Sequence, residues 1–392
     1  MRKIHLGLFF IICFTLFAFI AHPGYAKDWK IGTISPLTGP GAFWGKTIVH
    51  GVELAADDIN AKGGLLVNGE RYKVKVISYD DKYSGKGGAD AANRLVFTDN
   101  VKYIFGSNSS ASVLAYQAIT TPNKVLTFCD GYSDKILTPE KSYTFQVYGI
   151  PLLTAKDEVP AFLKLFPKIK RIAFLGPNDA SGWGTNKGYI KFFKKEKGVE
   201  IVADDYYERG TKDFYPTLTK LLAKNPDLIH TSASSPGTTP LIVKQARELG
   251  YKGKFLGIQG AVAFPDAFTK QAGGPKNADG FMYFNVWDIN SKDPKVKDLV
   301  KKYKQKYGKM TYIFNPPCFY DAVMIVAKCI QKLQTFDTTK IRDCVETIQY
   351  VGTSGPWKLR GKKQLGIAHQ RETASYLVEI KDHKEVVVEK IN

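Results

Sequence analysis

The chain has 392 residues, 44% hydrophobic and 24% charged, an ordinary globular balance with more length than one hydrophobic core usually serves. Its 56 basic and 37 acidic residues leave a net charge of +19. The excess lies on Lys-rich helical faces such as 191–197 and 295–309, with no Arg-rich stripe or nucleic-acid module, so the reading is no nucleic acid, and a field that attracts anionic ligands or headgroups.

Residues 1–26 read as a secretory signal peptide. Arg2 and Lys3 are basic, Leu6 to Ile20 is an almost unbroken apolar run, and Gly24 and Ala26 give a small-x-small cleavage signature before Lys27. No cysteine stands at the expected new N-terminus, and no later apolar run is long enough for a span, so a soluble mature protein is expected.

The stretch from Ile31 to Asn60 is a strand, a Gly/Pro-rich turn (Thr38 to Gly45) and an amphipathic helix. Further β-rich runs are expected at 72–78, 103–105, 125–128, 143–147, 171–175, 200–203, 228–231, 254–258 and 281–285. Amphipathic helical stretches, for example 89–97, 155–166, 214–223 and 240–249, lie between them. This alternation predicts an α/β fold of parallel sheets with helices on both faces, and such sheets bind ligands at the carboxyl ends of their strands. The loops at those ends collect small, polar and aromatic residues in two successive sets: Thr38 to Gly45, Gly106 to Ser110 and Cys129 to Ser133, then Gly176 to Gly184, Ser232 to Ser235 and Gly257 to Gly260. Two sets imply two lobes facing each other across a cleft.

An enzyme is not indicated. Gly39-x-Gly41 after the first strand imitates a dinucleotide loop, but the third glycine, Gly45, stands one residue too far and Pro40 stiffens the turn. No Gly-x-Ser-x-Gly or His-Glu-x-x-His occurs, and His50, His230, His369 and His383 are scattered. No cofactor and no metal are expected. Of the four cysteines after the signal, Cys329 and Cys344 form the favoured disulfide, because they lie on two successive predicted helices joined by a short turn.

Ile31-Gly32 through Pro36-Leu37-Thr38-Gly39, Gly51 to Ala55 with Asp58-Ile59-Asn60, and Gly63-Gly64 resemble the opening of the leucine/isoleucine/valine-type periplasmic binding proteins. Gly106 to Ser110, Gly210 to Phe214, Gln245 to Gly250 and Tyr320 to Val323 extend the likeness along nearly the whole mature chain. The resemblance implies two Rossmann-like lobes of the type I periplasmic binding protein fold, joined by three crossings. Lobe one is placed at 27–148 plus 280–350, and lobe two at 149–279 plus 351–392. It also implies a periplasmic monomer that captures a small carboxylate by hinge closure and hands it to an inner-membrane permease of the ATP-binding-cassette class. A ligand-sensing ectodomain or soluble receptor uses the same fold and stays as the alternative, with a dinucleotide-dependent enzyme more remote.

The resemblance further implies a binding site. Ser110 is the expected hydroxyl donor to the ligand carboxylate, with Ser109 beside it at a helix start whose free N–H groups favour anions. Trp44 is expected as an aromatic wall, in a loop. Cys129, Gly131 and Tyr132 fall where the family places a small residue and a threonine after the fourth strand, so the threonine hydroxyl is missing. Trp183 and Ser235 fall on two of its aromatic positions in the second lobe. Gln259 falls on the acidic residue that pairs with an α-ammonium, and a buried ammonium without a carboxylate is costly. Asp130 or Asp179 are the available substitutes. With Trp44, Tyr132 and Trp183 lining a flatter pocket, the expected ligand is a carboxylate with an apolar or aromatic body, and a branched-chain or other hydrophobic amino acid is the close second.

Overall fold

The computed structural model describes residues 27–391; the signal-peptide reading of residues 1–26 lies outside them. The strands are β1 (Lys27–Ser35), β2 (Leu65–Val67), β3 (Glu70–Asp80), β4 (Tyr103–Phe105), β5 (Leu126–Cys129), β6 (Thr144–Gln146), β7 (Arg171–Pro177), β8 (Glu200–Tyr207), β9 (Leu228–His230), β10 (Lys254–Gly257) and β11 (Phe281–Asn285). Short pairs follow: β12 (Val351–Gly352) with β13 (Gly355–Pro356), β14 (Leu359–Arg360) with β15 (Gln370–Arg371), and β16 (Tyr376–Lys381) with β17 (Lys384–Lys390). Two large sheets result, ordered β14-β15-β6-β5-β4-β1-β3-β2 and β17-β16-β11-β10-β9-β7-β8. Their central strands run parallel, as in β1 with β3 and β4, or β10 with β9 and β11.

Buried strands of this kind need apolar residues on both faces. In β1, Trp29 and Ile31 enter one core while Ile34 enters the other, on the opposite side of the first sheet. The helix after it, α1 (Ala42–Ala61), buries Trp44, Ile48, Val52, Ala55 and Ile59 at helical spacing, and ends before Gly63 and Gly64, both at positive φ. The next helices are α2 (Gly85–Asn93), α3 (Ser110–Thr120), α4 (Pro151–Leu165) and α5 (Ala180–Phe193). The second sheet has its own cores on its two faces, one around Phe255 and Phe281, the other around Phe174 and Phe284.

The sheet memberships correct two expected boundaries. Residues 281–285 were assigned to lobe one, but β11 pairs in register with β10, Phe255 opposite Phe281, and belongs to the second sheet. Residues 359–371 were assigned to lobe two, but β15 joins β6 of the first sheet through Gln370 and Gln146. Only the hairpin 376–390 returns to the second sheet. The crossings therefore fall after β6, after β11 and after β15. The helices 315–333 and 338–347 are bridged by the disulfide Cys329–Cys344, with Cα atoms 5.9 Å apart. Among the described residues no helix is long and apolar enough to cross a membrane.

Candidate functional site

The carboxyl ends of the two parallel sheets face each other, and the loops there build the site. After β1 the chain is pinned to the end of β3: Leu37 N–H and Thr38 Oγ1 donate to the two oxygens of Asp80 at 2.8 and 2.5 Å. Pro40 sits in a single turn of tight helix that runs directly into α1, so Trp44 stands in the first helical turn and not in a loop as expected. Gly45 is required there, since a Cβ would lie 1.9 Å from the Pro36 carbonyl oxygen. The Trp44 indole reaches across the cleft and donates to Gly260 O at 3.2 Å.

Further contacts join the lobes. Tyr132 Oη donates to Gln259 O at 3.2 Å, Ser110 Oγ and Ser181 Oγ lie 3.1 Å apart, and Lys187 pairs with Asp134 at 2.6 Å. Gly184 of α5 rests on the Tyr132–Ser133 backbone so closely that a Cβ would meet Tyr132 O at 2.6 Å. The Arg209 guanidinium of the second lobe stacks on Tyr83 of the first, 4.4 Å from its ring centre, with Trp44 at 5.8 Å. Its Nε donates to Asp179, the N-cap of α5, at 2.5 Å. This pair is half-buried, and the guanidinium Nη2 has no protein partner.

Between these contacts lies a narrow cavity of about 10 Å³. The first lobe lines it with Trp44, Tyr83, Asn108, Asp130 and Tyr132 and, from the helix start at 315, Phe314 and Asn315. Ala233, Ser234 and Gln259 come from the second. Buried polar groups normally have partners. Here Asn108 Oδ1, Asp130 Oδ1, Asn315 Oδ1 and both side-chain polar atoms of Gln259 have none in the protein. Asp130 Oδ2 accepts one bond, from Asn315 Nδ2 at 2.7 Å. Burial pushes the Asp130 carboxyl well above the ordinary carboxylate range, and the Asn315 amide offsets part of that.

Of the expected site residues, Trp44, Tyr132 and Gln259 line the cavity. The others do not, each for a local reason. Ser109 caps α3, accepting from Ser112 N–H at 3.4 Å. Ser110 Oγ accepts from the backbone N–H groups of Tyr132 and Ser133 at 2.8 and 3.1 Å, so it ties the two loops of the first lobe together. Cys129 is fully buried behind them, donating to Gln146 Oε1 at 3.0 Å, and burial pushes its thiol up to about 12. Gly131 also faces inward, its carbonyl accepting from Gln146 Nε2 and its Cα hydrogen against Ile136. Trp183 is 52% exposed, its indole turned back to Asn178 Oδ1 at 3.0 Å. Ser235 caps its own turn against Thr238 at 2.9 Å, and the neighbouring Ser234 takes the cavity wall. Tyr83, Asn108, Arg209 and Asn315 were missed. The serine-rich context hid Asn108 as a capping loop, and Asn315 before two prolines reads only as a helix start.

Two sheets joined by three crossings, with a polar cavity where their loops meet, have the architecture of a two-lobed binding protein. A family model described as periplasmic binding protein matches residues 28–385, and the chain belongs to that family. The family's description and the relatives' names are those of binding proteins, not enzymes. An amino acid binding protein of Pseudomonas aeruginosa is 30% identical over 259 residues, 65% of this chain and 66% of its own length. A Leu/Ile/Val-binding protein homolog of Brucella abortus is 26% identical over 82% of this chain and 80% of its own. Among solved structures, a leucine binding protein from Thermotoga maritima has a TM-score of 0.79 at 24% identity, covering 93% of this chain and 98% of that one. A solute binding protein from R. palustris in complex with benzoate has a TM-score of 0.80 at 19% identity, covering 93% and 96%. These structures share the type I two-lobed fold.

Proposed function

We propose that the protein is the extracytoplasmic substrate-binding component of an ATP-binding-cassette importer, capturing a small carboxylate with an apolar or aromatic body, or a hydrophobic amino acid, and delivering it to a membrane permease. The observation that carries this reading is the interlobe cavity with aromatic walls and buried polar atoms left for a ligand. Gln259 Nε2, in the lining, and the neighbouring Arg209 Nη2 are buried donors available to a carboxylate, and Trp44, Tyr83 and Tyr132 suit an apolar body. The relatives and neighbours whose names include amino acids or benzoate support the same range. The signal-like residues 1–26 support export to the periplasm.

A thermal-shift screen over hydrophobic amino acids and aromatic acids, followed by calorimetry, tests the reading. A true ligand at 100 times its Kd adds about 2.7 kcal/mol of stability and raises Tm by several degrees. No shift with either class would remove the proposal.

A further inference from the structure

A second cavity, of about 200 Å³, lies at the other end of the first sheet, where β1 and β4 begin. Trp29, Tyr72, Tyr103 and Phe336 wall it, and the exposed Lys30 and Lys102 also line it. Trp29 meets Tyr103 edge-on with ring centres 5.7 Å apart, Tyr72 meets Phe336 at 4.7 Å, and Tyr103 Oη donates to Phe336 O at 2.8 Å. Trp29 stands six residues before the end of β1, which puts the cavity about 20 Å from the loops of the cleft. The indole N–H groups of Trp44, Trp183, Trp287 and Trp357 each donate to an oxygen. Trp29 is 4% exposed, yet its Nε1 is buried with no protein partner, where an indole N–H normally finds an acceptor. Charge is unmatched beside it. Among the described residues neither Lys30 nor Lys102 is in an ion pair, and Lys30 donates to the Asp99 carbonyl at 3.3 Å. Of the two carboxylates in the lining, Asp28 is met by Lys75 at 3.6 Å and Asp99 offsets one lysine, so one positive charge is left.

We propose that this cavity is a second binding site, separate from the cleft, for a small aromatic carboxylate of a single ring. The ring lies among the four aromatic side chains, and the carboxylate accepts from the Trp29 indole and faces Lys30 and Lys102. Every wall of the site belongs to the first lobe, so occupancy does not depend on closure and leaves the cleft free. The assignment stands independently of what the cleft takes.

Nuclear magnetic resonance of protein labelled with nitrogen-15 tryptophan, titrated with benzoate, tests it. The Trp29 indole signal is the one retained in each of Trp44→Phe, Trp183→Phe, Trp287→Phe and Trp357→Phe. It should shift saturably, with a Kd below about 1 mM. The double variant K30A/K102A removes two exposed side chains outside any ion pair, so it keeps the fold, and it should weaken that binding at least about tenfold. Benzyl alcohol, which has the ring without the charge, should bind at least about tenfold more weakly than benzoate. Trp44→Ala should leave the Trp29 response within about twofold, whatever it does at the cleft. A Trp29 signal unmoved by about 10 mM benzoate overturns the site, and so does a response that disappears in Trp44→Ala. Benzoate felt at Trp44 alone overturns this site while supporting the reading of the cleft. Equal binding of benzyl alcohol, or an unchanged Kd in K30A/K102A, overturns the assignment of a carboxylate.

Discussion

Trp44 and Trp183 hold corresponding places in the sequence, each in the helix that follows the first strand of its lobe, yet only Trp44 reaches the cavity. The difference lies in what each indole N–H finds. Trp44 crosses to Gly260, whereas Trp183 bonds within its own loop and leaves its ring in solvent. Trp44→Ala should therefore weaken ligand binding at least about tenfold, the effect of removing a buried aromatic wall, and Trp183→Ala should change it less than about twofold, both by calorimetry. The same contrast measures what the sequence discloses of a site. Trp44, Tyr132 and Gln259 were legible because each stands just after a strand's carboxyl end, Trp44 in the first turn of the helix there. Tyr83, Arg209 and Asn315 were not, because their meeting depends on how distant loops close on one another, and no local pattern encodes that.

At the scale of elements, the strands expected at 103–105 and 281–285 match those observed, and the others differ by a few residues at their ends. Local alternation is enough for this. Which sheet a strand joins is a long-range matter, and that is why β11, β14 and β15 were misassigned. The terminal hairpin carries a consequence of its own. Glu385 of β17 is tucked against β11, accepting from Tyr283 Oη and, at 3.2 Å, from Asn285 Nδ2, and burial pushes its carboxyl up to about 7. A carboxyl raised in the folded state holds its proton longer there than in the unfolded chain, so its contribution is fully present below about pH 4.5 and declines as pH rises to about 7. Glu385→Gln keeps the accepting oxygen without the charge. It should raise stability at pH 8 by roughly 2–3 kcal/mol and leave it nearly unchanged at pH 4, as chemical denaturation at the two pH values will show.

At the scale of the whole molecule, the lobes meet through few direct bonds, and the fit of Gly184 onto the Tyr132–Ser133 backbone sets how near they come. Gly184→Ala would insert a methyl group between them, against the backbone of Tyr132 and Ser133. The variant should keep the melting behaviour of its lobes, show a larger radius of gyration in saturating ligand by small-angle scattering, and bind on the order of tenfold more weakly, because the binding-competent closed form is less populated. Wild-type scattering curves that are identical with and without ligand would contradict hinge closure itself.

The unmatched oxygens of the cavity also bear on honesty between carrier and receiver. Shutting the lobes with nothing inside buries several polar groups at about 1–3 kcal/mol each, so under the proposed function a ligand that pairs them favours the shut shape. On the proposed importer role, a membrane partner that reads the outer surfaces of both lobes at once would tell full from empty without inspecting the cargo.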